Sequence, residues 1–420
     1  MQMKHSKNYP WIVVGLLWVV ALLNYMDRQM LSTMQPSMMI DIVELREARD
    51  FGRLMAIFLW IYGFMSPVAG MIADRINRKW LIVISLFVWS GVTYMMGYSE
   101  NFNQLYWLRA IMGVSEALYI PAGLSLIADY HTSKTRSLAI GIHMTGLYMG
   151  QALGGFGATI ASNYSWQSAF HYFGIIGIVY SFILILFLHE KKSPELTRAT
   201  NNIIKEKASL FKGLGLLFSN IAFWIILFYF AVPSLPGWGV KNWLPTLFAK
   251  NLGIDMSLAG PLSTITIAAS SFLGVIFGGI LSDRWVQKNI RGRIYTSAIG
   301  LALTIPSLLL VGYGHSMFHV IGAAFCFGFG FGMFDANNMP ILCQFVSAKY
   351  RATAYGLMNM TGVFAGALVT DWLGKSTDAG NLGKSFAMLS AIVLVALIIQ
   401  VSFLRPKAND FDEPAKNNHS

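Results

Sequence analysis

One short segment, Asn24-Tyr25-Met26-Asp27-Arg28, sets an amide, a phenol, a carboxylate and a guanidinium inside an otherwise apolar run. A charge near the centre of a bilayer costs about 2.5–3.5 kcal/mol on insertion scales, so such residues face a polar cavity or a partner. Arg28 carries a fork of donors that matches a carboxylate, which makes it a candidate to hold an anion. Asp27, in a low-dielectric pocket, is a candidate to take up a proton; the alternative is that the adjacent pair only locks helix packing. Glu116 follows Arg109 by seven residues, so the two share roughly one helix face with Gly113 between them. A lone buried carboxylate is expensive as an anion. Glu116 is therefore either a coupling group, charged when facing one side and neutral in transit, or a static partner of Arg109. Arg109 itself reads as structural, or as a modulator of a neighbouring carboxyl's proton affinity.

Other polar residues stand in apolar surroundings. His143, Tyr148 and Gln151 lie on one stretch, with His143 and Gln151 eight apart on one helical face; a packing role for His143 is the alternative to a relay. Asp335, Asn337 and Asn338 sit in a later run, where the asparagines either bond substrate hydroxyls or join helices. Lys241 and Trp243 flank a segment containing Pro233, Pro236 and Gly237, and are either site residues or interface anchors. There is no Ser/His/Asp set, metal cluster or phosphate loop, so no catalytic residue, metal or cofactor is expected. Cys326 and Cys343 offer neither a disulfide framework nor metal spacing and read as apolar helix residues.

The elements that must hold these residues are membrane helices. Of 420 residues, 55% are hydrophobic and 12% charged, against about 25% charged in soluble domains. The apolar residues fall in blocks of about 20, the length that spans a bilayer as helix, and the alternation of a barrel strand is absent. Spans are expected at about 11–34, 51–73, 80–98, 103–128, 137–160 and 167–188, then 216–249, 258–281, 294–313, 317–346, 351–373 and 383–404, the seventh kinked or broken. The first is expected to be retained, since no small-residue cleavage site follows it. The resulting expectation is an all-α polytopic protein with an N-terminal bundle at 1–188, a central loop at 189–215, a C-terminal bundle at 216–404 and a tail at 405–420. About 22 of the 31 Lys and Arg residues lie on the side of the termini and central loop, which is cytoplasmic by the positive-inside rule. The net charge of +11 thus reflects topology and does not point to nucleic acid. Gly70-Met-Ile-Ala-Asp74-Arg75 and Gly279-Ile-Leu-Ser-Asp283-Arg284 repeat at a separation of 209, and Arg136 and Arg351 at 215. A duplicated six-span unit places a substrate site between the halves. The loop positions of Asp74, Arg75, Arg78, Asp283 and Arg284 suggest charge pairs that gate the cytoplasmic side.

Gly70-x-x-x-Asp74-Arg75-x-x-Arg78-Lys79 and Arg109-x-x-x-Gly113-x-x-x-Ala117 resemble two signatures of the major facilitator superfamily, and the resemblance covers nearly the whole chain. Asn77 replaces the usual Gly, a substitution that a turn with positive φ tolerates. Asn24-Tyr25-Met26-Asp27-Arg28, Trp60-x-Tyr62 and Glu116 resemble the anion:cation symporter branch, whose members carry sugar acids and other organic anions. The first of these also resembles bacterial relatives of the Spinster lipid transporters. Gly146-x-x-x-Gly150-Gln151-x-x-Gly154-Gly155 is similar to the antiporter signature, with Gln151 in place of Pro. The resemblance implies proton coupling through Asp27 and Glu116 and a substrate site drawn from Arg28, Tyr25, Tyr62, His143, Gln151, Asn337 and Asn338. It implies a monomer in a bacterial inner membrane that imports a hexuronate, aldonate or sialic acid with protons. Lipid or drug efflux is the alternative within transport, and an anion sensor the alternative outside it.

Overall fold

The computed structural model describes residues 8–73, 76–131, 135–190, 215, 217–346 and 351–406. Among these residues the chain is helical without strands. Ten helices are long and apolar enough to cross a membrane: spans one (Tyr9–Asp41), two (Ala48–Ala73), three (Arg78–Met96), four (Phe102–Tyr130), six (Trp166–Phe187), seven (Ile221–Leu252), eight (Met256–Val286), nine (Gly292–Tyr313), ten (Met317–Leu342) and twelve (Leu382–Phe403). Span five (Arg136–Gly154, continued by Gly157–Asn163) and span eleven (Arg351–Asp378) complete twelve. Each of these two packs on the opposite half, span five on eight and span eleven on two. The central loop and tail calculated from sequence fall largely outside the described residues.

Of the kinked and broken alternatives for span seven, the broken one falls: Ile221–Leu252 is one uninterrupted helix containing Pro233, Pro236 and Pro245. A proline removes the donor that would bond the carbonyl four residues earlier, and membrane helices tolerate this when a neighbour re-satisfies that carbonyl. Pro245 frees the Lys241 carbonyl, which accepts from Gln29 Nε2 of span one at 2.8 Å. Pro261 likewise frees the Ser257 carbonyl, which accepts from Thr159 Oγ1 at 2.9 Å. Asn77 itself, expected in a turn of positive φ, has φ −54° and caps span three by accepting from the Trp80 N–H.

Both proline-freed carbonyls lie on the side away from the chain ends, and further contacts between the halves gather there. Asp378 at the end of span eleven accepts from the N–H groups of Ala48 and Arg49, at 2.7 and 2.8 Å, placing a carboxylate at the positive end of span two. Thr264 Oγ1 donates to the Ala152 carbonyl at 3.0 Å. A Cβ on Gly155 would strike Thr264 and lie 2.8 Å from the Gly260 carbonyl, so only glycine allows spans five and eight to meet. The Gly146-x-x-x-Gly150-x-x-x-Gly154 stripe packs instead on the backbone of span one at Trp18, Leu22 and Met26, as small-residue spacing permits. One apolar cluster runs from the second half into Met30, Met34, Met38, Phe51, Phe102 and Phe170 of the first. The far side is therefore closed, while Asp335 and Tyr355, toward the chain-end side of spans ten and eleven, are exposed.

Gln29→Leu combined with Thr159→Val should loosen this closure, since each change removes a hydrogen bond worth about 1 kcal/mol. A Ser263→Cys reporter should then label faster with an impermeant maleimide applied from the far side. Unchanged labelling would show that these bonds do not hold the halves together.

Candidate functional site

Span one turns two charged residues in different directions, because neighbours on a helix differ by about 100°. Asn24 and Arg28, four apart, share a face, and both reach Glu116 of span four. Arg28 Nε donates to Glu116 Oε2 at 2.5 Å, and Asn24 Nδ2 donates to the same oxygen at 3.0 Å. Glu116 is fully buried, and the Arg28 side chain is about 10% exposed. The Arg28 guanidinium also lies 4.5 Å from the Tyr62 ring centre, 4.9 Å from Phe58 and 5.1 Å from Tyr25. Aromatic faces attract a desolvated cation, so the pair sits in a cage that fixes the guanidinium. Glu116 Oε1 and Arg28 Nη2 remain buried without a hydrogen-bond partner.

Asp27 faces span three, where Thr93 Oγ1 donates to its Oδ2 at 3.4 Å; its Oδ1 has no partner. Arg109 is buried behind this layer, 4.5 Å from the Phe58 ring, with Nη1 on Met112 Sδ at 3.2 Å. It interacts electrostatically with Glu116, Arg28 and Asp27, but makes no ion pair with Glu116. The proposed static partner of Glu116 is thus Arg28, four helix positions from Asn24, and not Arg109 on its own helix. His143 is buried edge-on to Tyr119 at 6.0 Å, and Tyr119 in turn packs on Trp89 at 5.7 Å. This places His143 in the packing of the first half, apart from the Arg28–Glu116 pair.

Gln151 lines a small cleft between the halves with Gln29, Lys241, Ser263 and Thr264. Tyr148 meets Phe272 of span eight at 6.0 Å, and Trp60 meets Phe364 of span eleven at 5.1 Å, so both stand at the seam. Asn337 donates to the Met333 carbonyl at 2.8 Å. Asn338 accepts from Tyr229 Oη at 3.0 Å and donates to Asp335 Oδ1 at 3.1 Å. Span ten is interrupted at residues 336–337; Asn337 lies in that interruption, and Asn338 begins the helix that follows and joins spans seven and ten. Lys241 reaches over Trp238 at 5.0 Å, whereas Trp243 is buried and bonds the Thr370 carbonyl at 3.1 Å.

Of the gate residues, Asp74 and Arg75 lie outside the described residues. Arg78 pairs with Asp129 within the first half, and Asp283 pairs with Arg293 within the second half at 3.5 Å. Arg284 is exposed. Sequence reasoning assigned no role to Asn24 or Phe58. The spacing of Asn24 and Arg28 was a usable signal for the first; nothing marks Phe58, one apolar residue among many in span two.

The sequence profile described as Major Facilitator Superfamily matches residues 17–370. The sphingosine-1-phosphate transporter SPNS2 of Xenopus tropicalis is 23% identical, over 94% of this chain and 82% of that protein. The probable galactarate/D-glucarate transporter GudP of Escherichia coli is 25% identical over 96% and 94%, and the hexuronate transporter of the same organism 24% identical over 96% of each. In three dimensions the chain is similar to a bacterial homolog of the human lysosomal transporter Spinster, solved in an inward-facing and unoccupied conformation. The TM-score is 0.79 at 20% identity, covering 98% of this chain and 100% of that one, a likeness that bears on the fold.

Removing one member of a buried ion pair strands the other, a loss of about 3–5 kcal/mol. Glu116→Leu and Arg28→Met should therefore each lower the melting temperature of the purified protein, and the double variant should recover most of the loss. Additive losses would mean that the two residues are not energetically coupled.

Proposed function

The chain belongs to the Major Facilitator Superfamily, and from that premise we propose that it imports a small carboxylated solute, such as a sugar acid, together with protons. The observation that carries this is the 2.5 Å contact between Arg28 and Glu116 in an aromatic cage between helices. Arg28 is suited to bind a carboxylate, and its present carboxylate partner belongs to the protein. A second anion arriving there would face Glu116 as a like charge in a poorly solvated site, which is unfavourable. A proton on Glu116 removes that repulsion and releases the guanidinium to the incoming anion. Anion and proton then enter together, and loss of either restores the internal pair.

Asp27, on the face of span one turned to Thr93, is a second proton-accepting group, with Arg109 in electrostatic reach of both carboxyls and influencing how readily each ionises. Tyr25, Tyr62 and Gln151 would border the solute; His143, buried against Tyr119, would act only through packing. The closed far side and the exposed Asp335 and Tyr355 fit a carrier open toward its chain ends. By loop charge that side is the cytoplasm, and the membrane a bacterial inner one. The within-half pairs of Arg78 and Asp283 would exchange for cross-half pairs when the cytoplasmic side closes, alongside Asp74, Arg75 and Arg284. The halves, 1–188 and 216–404, would rock around the site in a single copy of the chain. Sugar-acid relatives support this choice of cargo. Lipid or drug antiport is the second possibility, favoured by the Spinster-like relatives and by helix-one and helix-four carboxyls that serve antiport equally well.

Uptake of a sugar acid into proteoliposomes should rise when the outer solution is made acidic. Glu116→Gln should abolish the gradient-driven component and its pH dependence while keeping counterflow. Uptake indifferent to an imposed proton gradient would remove proton coupling, and competition by lysolipids but by no sugar acid would favour the second possibility.

A further inference from the structure

A cleft of about 490 Å³ opens where spans eleven and twelve meet on the far side, away from the Arg28–Glu116 pair. Span eleven ends there at Asp378 and span twelve begins at Leu382, so the cleft occupies the tip of a helical hairpin. Two buried residues that line it, Ser376 and Ser385, pin the helices together by a hydroxyl–hydroxyl bond of 2.5 Å. The turn closes over them as the Asn381 N–H donates to the Ser376 carbonyl at 2.8 Å. Lys375 of span eleven and Lys384 of span twelve, both exposed, line the same cleft.

The lining residues are sorted by depth. Span eleven runs toward the far side, so Trp372 lies three residues, about 4.5 Å, deeper in the membrane than Lys375. Span twelve runs back, so Met388 lies four residues, about 6 Å, deeper than Lys384. Both of the deeper residues line the cleft, and Met388 is exposed. Cationic groups therefore stand at the helix ends, with an indole and a thioether one turn below them. Two carboxylates are close by, and each is engaged. Asp371 pairs with Lys375 at 2.6 Å, and Asp378 accepts from the N–H groups of Ala48 and Arg49. Among the described residues Lys384 makes no ion pair.

We propose that this cleft is a binding site for an anionic phospholipid of the far leaflet. Its phosphate sits between Lys375 and Lys384, and an acyl chain runs past Trp372 and Met388. Lysine binds phosphate as a point charge, and the amide of Asn381, which caps no helix N–H, adds a further donor. Tryptophan belongs at the headgroup level, where its ring is part apolar and part polar. A water-soluble anion would use the two lysines and leave the deeper pair idle, whereas an amphiphile uses both levels. The lysines also choose among lipids, because the cationic group of a zwitterionic headgroup would meet them as a like charge. The turn that holds the lipid carries Asp378, the clasp on span two, so lipid binding braces the closed far side.

Full-length protein in detergent would be titrated with phosphatidylglycerol, with phosphatidylcholine of the same chains, and with inorganic phosphate. Native mass spectrometry reads the lipid retained, and the melting temperature reads the stabilisation. Phosphatidylglycerol should be retained about twentyfold over phosphatidylcholine and should raise the melting temperature more. Lys375→Gln and Lys384→Gln should each cut that preference about fivefold, and the double variant should erase it. The melting temperature in phosphatidylcholine should stay unchanged, because both lysines are exposed and a surface pair such as Lys375–Asp371 contributes little. Equal retention of the two lipids by the unaltered protein, or a preference that survives the double variant, would overturn the site. Stabilisation by inorganic phosphate as large as that by phosphatidylglycerol would assign the lysines to a free anion and overturn the lipid.

Discussion

A guanidinium buried between membrane helices must have an anion, and the site in the first half is arranged around the one that Arg28 has. Glu116 meets it at 2.5 Å, Asn24 bonds the same carboxylate oxygen, and Tyr25, Phe58 and Tyr62 surround the cation. Outside water neither charge can be left alone without a penalty of several kcal/mol. The pair is consequently both an obstacle to an incoming anion and the reason an anion would be accepted once Glu116 is neutral.

The scaffold keeps that pair at the seam by using backbone groups as connectors. The glycine stripe of span five brings it against the backbone of span one, which fixes the helix carrying Asn24 and Arg28. Pro245 and Pro261 each release a carbonyl, and each carbonyl is bonded by a side chain from the other half. Such bonds join surfaces without burying new charge, and each is weak enough, at about 1 kcal/mol, to break in a reorienting carrier. Asp378 against the start of span two adds a charge–dipole contact at the same closed face.

Much of this was readable from the chain. Blocks of about 20 apolar residues identify the spans, and the repeat of Gly70–Arg75 at Gly279–Arg284 identifies the halves. Charged residues in apolar blocks identify Asp27, Arg28, Arg109, Glu116, Lys241 and Asp335, because the membrane makes each of them expensive. Which of them pair was not readable. Arg109 and Glu116 share a helix face by spacing, yet Glu116 turns to Arg28, since partnership between helices depends on how spans one and four cross. The prolines of span seven suggested a break because a donor is lost there, while the compensating donor, Gln29, lies 212 residues away in sequence. Asn77 illustrates the same limit locally: its side chain caps a helix with ordinary backbone angles, where the replaced glycine suggested a positive φ.

The central claim is that an anion takes Arg28 from Glu116 only as Glu116 gains a proton. Difference infrared spectroscopy on the purified protein, recorded on addition of a bound sugar acid, observes that proton directly. A protonated-carboxyl C=O band should appear on binding and be missing in Glu116→Gln. Tight binding of the anion with no such band would contradict the exchange.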